Sequence, residues 1–182
     1  FSPTTHMFQN TYANLIRDRP MTIQTGDTIP NLTLHVMGED GGPQAISTDE
    51  LFKGKLVALF GLPGAFTPTC SASHLPGYVQ NADALKAKGV DDIICVSVND
   101  AFVMAAWGKD QGVGDKVRMV ADGSAEFATA TGLELDLGER GLGLRCQRFS
   151  MIVDNGVVQD IETEAPPSAE LTGAEKMLEK LP

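Results

Sequence analysis

The stretch from Lys55 to Tyr78, KLVALFGLPGAFTPTCSASHLPGY, decides how the rest of the chain is read. Its first part, Lys55 to Leu62, is an apolar run that stops at Pro63-Gly64, the pattern of a strand buried on both faces of a sheet. From Cys70 to Lys88 the apolar residues Leu75, Tyr78, Val79, Ala82 and Leu85 recur at helical spacing. Pro76 and Gly77 are expected to bend the early part of this helix and Gly89 to close it. In open α/β sheets chemistry collects in the loop that leaves a strand's carboxyl end, so Pro63 to Cys70, PGAFTPTC, is the candidate site.

Outward from this unit the pattern stays regular. Ile29, Leu32, Leu34 and Val36 approximate strand alternation, and IICVSV, Ile93 to Val98, reads as a second buried strand. A helix is expected around Ala101 to Gln111, a short strand over Val117 to Val120, and a helix from Ser124 to Thr131 ending at Gly132. Arg148 to Val153 and Val157 to Ile161 flank Asp154-Asn155-Gly156, a hairpin turn signal because Asn and Gly tolerate positive φ. A last helix, Leu171 to Leu181, carries Leu171, Ala174, Leu178 and Leu181 on one side. This order predicts an α/β fold, a mixed central sheet with helices on both faces and no internal repeat.

A chain of 182 residues is near the usual size of one domain and needs no disulfide or metal staple. Its formal net charge of -10 repels phosphate backbones and anionic lipid, which argues against a nucleic-acid partner. The longest apolar stretch, Leu56 to Leu62, is strand length and far short of a membrane span. Cys70, Cys95 and Cys146 are an odd set without CxxC spacing, so neither a disulfide framework nor a metal site is expected, and a reducing compartment fits. Residues 1–20, with a His6-Met7 pair and Met21 as a natural start, read as a tag remnant or a leader. That leaves residues 21–182 as a single domain, cytoplasmic unless the leader is natural and directs it to an organelle.

Cys70 should fall in the first turn of its helix, with Thr67 near the N-cap. Unpaired N–H groups and the helix dipole favour a thiolate there, and Pro63 and Pro68 stiffen the approach. A disulfide-exchange motif would need cysteine at both ends of Thr67-Pro68-Thr69-Cys70, but the first end is Thr67. A hydroxyl beside a lone thiolate can hydrogen-bond the sulfur and an incoming oxygen, which suits attack on an O–O bond. On these residues alone the competing reading is a small buried hydrophobe, the commoner fate of a lone cysteine.

The runs GLPGAFTPTCSASHLPGY (61–78), GVDDIICVSVNDAFVMAAWGK (89–109), VADGSAEFA (120–128), GLELDLGERGLGLR (132–145) and RFSMIVDNG (148–156) closely resemble the peroxiredoxins of the Prx5 or type II group. The resemblance covers the chain from Met21 onward. It implies a thioredoxin-like fold, an antioxidant thiol peroxidase acting on hydrogen peroxide and organic hydroperoxides, no metal, haem or other cofactor, and a homodimer. Matched residue by residue, Cys70 stands at the peroxidatic cysteine, Pro63 and Thr67 at the family's Pro and Thr, and Arg148 at its supporting arginine.

How the oxidised sulfur is recycled is left with alternatives. The resemblance matches Cys95, 25 residues after Cys70 (95 − 70 = 25), to a second cysteine of plant and some bacterial members, although IICVSV reads as buried strand. Cys146 precedes Arg148 by two positions and would share its face in one extended strand, making it a weaker resolving candidate. Lack of a well-placed partner favours external reduction by glutathione or glutaredoxin, with thioredoxin as the other reductant. His74 reads as a structural hydrogen-bonder one turn past Cys70, Trp107 and Phe102 as core or dimer interface, and Glu162, Glu164 and Glu170 as solvated surface. A glutathione transferase or disulfide oxidoreductase on this fold has no motif here, and a redox-sensing or chaperone-like protein is the non-enzymatic alternative.

Overall fold

Strand β3 (Leu56–Gly61) lies between a parallel neighbour, β4 (Asp92–Ser97), and an antiparallel one, β8 (Arg148–Asp154). Its pleat sends Val57 and Leu59 into one core layer and Ala58 and Phe60 into the other. Burial on both faces is why this segment is an unbroken apolar run rather than an alternation. Gly61 ends the strand at a close approach, since a Cβ there would stand 2.1 Å from Cε1 of Phe149. Only glycine lets the Phe149 ring lie across that pair.

The computed structural model describes residues 22–165 and 168–182, so the reading of residues 1–20 falls outside it. Among the described residues the main sheet runs β2 (Pro43–Ser47), β1 (Thr33–Met37), β5 (Arg118–Ala121), β4, β3, β8, β9 (Val157–Glu164). One core layer holds α2 (Leu75–Gln80), α3 (Ala82–Ala87), α4 (Ala101–Asp110) and α6 (Ala174–Lys180), packed through Tyr78, Leu85, Trp107 and Met177. The opposite layer holds α1 (Thr48–Phe52) and α5 (Glu126–Thr131), packed through Leu51, Phe52, Phe127 and Ala128. This is the mixed sheet with helices on both faces that the sequence pattern predicts. No helix of the described residues is long and apolar enough to cross a membrane.

The differences are local and have physical causes. Edge strand β2 escapes the pattern because Ile46 is its one buried apolar residue. The hairpin of β6 (Glu134–Leu137) and β7 (Gly143–Cys146) forms a separate two-stranded ladder with much of its surface exposed, so its alternation is short and weak. The last helix starts at Ala174 rather than Leu171, and Met177 joins Ala174 and Leu181 in the buried seam, with Leu178 only partly covered.

The helix after Cys70 departs most from expectation. Residues Cys70–His74 form a π-turn, in which the Leu75 N–H donates to the Cys70 carbonyl, and the helix breaks again at Asn81. Pro76 accounts for the wide turn, because it lacks an N–H and its ring crowds the carbonyl four residues back. That conflict costs ~3 kcal/mol in a regular helix interior, and a locally widened turn relieves it. In place of the expected bend there is a widened turn before Pro76, and it reshapes the turn that carries Cys70.

Candidate active site

Three strand ends converge at one end of the sheet. The parallel strands β3 and β4 both finish there, and the antiparallel β8 begins there, with Gly61 opposite Phe149. Topology alone thus delivers Arg148, the first residue of β8, to the loop that leaves β3. The loop leaving β4 contributes Asn99, whose Oδ1 accepts from the Ala65 N–H at 3.0 Å and from Ser97 Oγ at 2.8 Å.

The loop is held from several sides before it enters the helix. Phe66 has φ of 61°, a left-handed conformation unusual for a side chain of its size, which stores of order 1–3 kcal/mol of strain. The neighbouring tethers balance it: Thr67 Oγ1 donates to the Gly64 carbonyl at 2.6 Å, and Arg145 Nη1 donates to the Pro63 carbonyl at 3.3 Å. Arg145 lies against Gly64, where a Cβ would stand 2.6 Å from Nη1, so the loop backbone and the guanidinium are fitted to each other. The helix starts at Pro68, whose missing N–H is harmless in a first turn, and Cys70 sits in that turn.

Cys70 is a free thiol, 1% exposed, and its Sγ accepts from Arg148 Nη2 at 3.2 Å. Arg148 is itself 1% exposed and donates through Nη1 to His74 Nδ1 at 2.8 Å. His74 Nε2 lies 3.1 Å from the Thr172 carbonyl, which also accepts from the Tyr78 hydroxyl at 2.8 Å. Burial first, and the Arg148 cation second, hold the His74 imidazole down to about 3. Burial likewise pushes the Tyr78 phenol up. Trp107 closes the back of the turn, its Nε1 donating to Ser71 Oγ at 3.1 Å.

Of the residues singled out in the sequence, Cys70 and Arg148 are in contact here, and Pro63 and Thr67 lie in the loop that leads into the Cys70 turn. Thr67 differs from expectation in direction: its hydroxyl gives its proton to Gly64, so to any further partner it can only accept. Cys95 is fully buried in the middle of β4, opposite Phe60, on the same side of the sheet as Cys70. Burial, and after it the sulfurs of Cys70 and Cys146, push its thiol well up. Cys146 corrects the sequence reading. The strand breaks at Gln147, whose N–H donates to the Leu133 carbonyl at 2.7 Å, so Cys146 and Arg148 do not share a face. Cys146 packs in the layer opposite Cys70, and burial pushes its thiol up as well.

Trp107 is core, whereas Phe102 is exposed, which leaves it the interface alternative. Glu164 is no free surface charge: it accepts from the Leu171 and Thr172 N–H groups, from Thr172 Oγ1 and from Ser168 Oγ. Residual burial raises its carboxyl, but these hydrogen bonds outweigh it and hold the group below the usual range. Glu162 instead pairs with Lys180 at 3.2 Å. Arg145, Asn99 and Thr172 were missed because their contacts run through backbone carbonyls and N–H groups; the pair Arg145 and Arg148, three apart, was the only local signal. Among the described residues no group of three His, Cys, Asp or Glu side chains is placed to hold a metal ion.

Comparison with known proteins bears on this arrangement. The redoxin family model matches residues 24–178. Peroxiredoxin-2C of Arabidopsis thaliana is 46% identical over 162 residues, covering 89% of this chain and 99% of that protein. The chloroplastic peroxiredoxin-2E of the same plant is 42% identical over 99% of this chain and 76% of its own length. The crystal structure of reduced Prx3 from Vibrio vulnificus in complex with hydrogen peroxide superposes with a TM-score of 0.84 at 53% identity, over 88% of this chain and 100% of that one.

Proposed function

The chain belongs to the peroxiredoxins, within the redoxin family, and is a thiol-dependent peroxidase on a thioredoxin-like fold; from that premise we propose that Cys70 is its peroxidatic cysteine. Arg148, Thr67 and Pro63 complete the site, and residues 21–182 act as one domain. The observation that carries this reading is the buried guanidinium of Arg148 donating to Cys70 Sγ at 3.2 Å. No carboxylate pairs with Arg148 among the described residues, so a thiolate is the counter-charge its burial calls for.

In the proposed reaction the Cys70 thiolate attacks the distal oxygen of the peroxide. The S–O bond forms as the O–O bond breaks, sulfur is oxidised by two electrons to the sulfenic acid, and the leaving oxygen takes up a proton from solvent, replacing the one the thiol gave up on ionising, and departs as water or alcohol. Arg148 Nε, buried and without a partner, is a donor available to the oxygens as charge develops. Thr67, able only to accept, takes the peroxide O–H. A fixed donor on one side and a fixed acceptor on the other orient the substrate for in-line attack.

Recycling is assigned to an external thiol, glutathione or glutaredoxin, rather than to Cys95 or Cys146. One thiol displaces water from the sulfenic acid to give a mixed disulfide, and a second releases the Cys70 thiol and carries away the disulfide. Cys95 is a poor partner because burial keeps its thiol protonated in a central strand. With Cys70 only 1% exposed, the first helical turn has to open for any bulky reductant, and the π-turn is the segment placed to do so. The apolar side chains Phe66, Phe102, Leu142 and Leu144, all exposed, support a homodimer. Three free thiols suit a reducing compartment, the cytoplasm in this reading.

The test is peroxide consumption by wild type and Cys70→Ser with glutathione, glutaredoxin and thioredoxin supplied separately. Full turnover by Cys70→Ser would remove the assignment. Intact mass after one equivalent of peroxide separates the recycling routes: a Cys70–Cys95 disulfide in high yield defeats the external-thiol reading, whereas a sulfenic acid trapped on Cys70 supports it.

A further inference from the structure

A buried arginine needs something to fix its direction, and the usual solution is a carboxylate. One is in place: Glu164 stands directly across the β8–β9 ladder from Arg148, on the same face of the sheet. Yet its carboxylate is occupied by Ser168, Leu171 and Thr172. Arg148 is held instead by His74, which comes from the π-turn that carries Cys70. Guanidinium nitrogens can only donate, so His74 Nδ1 accepts and must be unprotonated. Its proton is then on Nε2, which donates to the Thr172 carbonyl at 3.1 Å. A doubly protonated ring could not make this pair of bonds.

Resting on the assignment of Cys70 and Arg148 above, we infer that His74 is a positioning residue: an uncharged acceptor that aims the Arg148 guanidinium at Cys70 without neutralising it. Glu164 serves the same end indirectly. It ties down Thr172, whose carbonyl fixes the ring, and while so occupied it does not pair with the guanidinium that faces it across the ladder. A carboxylate in the place of His74 would hold Arg148 equally firmly but would compete with the Cys70 thiolate for its charge. The ring is enclosed by Phe60 and Tyr78, with Arg148 and Glu164 the charged groups acting on it. Every polar atom of the imidazole is committed, which leaves it no proton to exchange with substrate.

Four variants and one spectroscopic measurement test this. His74→Gln supplies an acceptor for Arg148 and a donor for Thr172 from one amide and should recover most of the second-order rate of Cys70 oxidation by hydrogen peroxide. His74→Leu, which removes both bonds, and His74→Glu, which keeps the acceptor but adds a charge, should each lose about tenfold or more. Arg148→Ala, the control for the underlying assignment, should lose at least ~100-fold. If Arg148→Ala is slow while His74→Leu, folded by circular dichroism, reacts at the wild-type rate, the positioning role fails and the assignment stands. An unimpaired Arg148→Ala defeats both. Equal rates for the Gln and Glu variants remove the role of charge. Nitrogen-15 shifts of the wild-type ring give a check that needs no variant: Nδ1 should remain unprotonated and Nε2 protonated at pH 5, and a charged ring or the other tautomer overturns the inference.

Discussion

Cys70 and Cys95 are both buried thiols in the same core layer, and solvent access does not tell them apart. Their surroundings do. Cys95 lies in the middle of a central strand, with burial acting on it first and other sulfurs second, and both influences hold its proton in place. Cys70 lies in a first helical turn with a guanidinium donor at 3.2 Å. Under the proposed assignment of Cys70, the difference teaches that the reactive thiol is marked by a dedicated cation and not by exposure. Each prediction below either removes one side of that contrast or tests what maintains it.

The largest effect separates the two thiols outright. Cys70→Ser should abolish peroxide turnover, whereas Cys95→Ala should keep kcat/KM within a few-fold of wild type in the presence of glutathione or glutaredoxin. The second substitution instead costs stability, about 1 kcal/mol for a small buried side chain, readable in a denaturation midpoint. Loss of turnover in Cys95→Ala at unchanged fold would bring the two sites back together.

Next in size is the cation. Arg148→Lys keeps the charge but not the fork, and one ammonium on a flexible stem cannot reproduce the two directed bonds to Cys70 and His74. A fall of about 100-fold in the rate of Cys70 oxidation is expected. A Lys variant with wild-type rate would mean that charge alone distinguishes Cys70 from Cys95.

Loop shape should matter less. Arg145 tethers the Pro63 carbonyl and fills the space over Gly64, so Arg145→Ala should lower kcat/KM for peroxide by about tenfold. The Cys70–Arg148 contact itself is left intact. Gly64→Ala, which drives a methyl toward Arg145 Nη1, should resemble it. If both variants turn over peroxide normally, the tether serves the fold and not the site.

What was legible in the sequence follows the same division between local and distant causes. The buried strand β3, the helix after it and the Asp154-Asn155-Gly156 hairpin all announce themselves because composition and turn chemistry within a few residues determine them. The proposed roles of Cys70, Thr67 and Pro63 rest on cues just as local. His74 was legible only as a structural hydrogen-bonder, because its partner Arg148 is 74 residues away, and Glu164 was not legible, because its two N–H and two hydroxyl partners come from a loop no periodicity marks. Cys146 was misplaced by a one-residue break at Gln147, made by a hydrogen bond to Leu133 that no periodicity encodes. The π-turn is intermediate: Pro76 signals a disturbance, but only packing decides that it falls on the turn bearing Cys70.

The smallest effects are on acid stability, and they separate the two groups that flank Arg148. His74 is held down from an ordinary value of 6.5 to about 3, by burial first and Arg148 second. Between those values the unfolded chain takes up a proton that the native ring refuses, so stability falls as pH drops through this window, by at most about 1.4 kcal/mol per pH unit. Glu164 follows the same linkage sign in a lower window. Its folded carboxyl lies below the ordinary 4.5, so its contribution is complete above that value and is lost only as pH falls through the lowered one. Because the group is partly exposed, that contribution is about 1 kcal/mol. Urea unfolding at pH 7, 5 and 3 should therefore show wild type losing stability relative to His74→Gln already between pH 7 and 5. Glu164→Gln should be the less stable protein at pH 7 and at pH 5, and should begin to converge with wild type only below the ordinary 4.5. If wild type and His74→Gln instead run parallel from pH 7 to 5, the imidazole is not locked in its neutral form, and the feature that frees Arg148 to serve Cys70 has been misread.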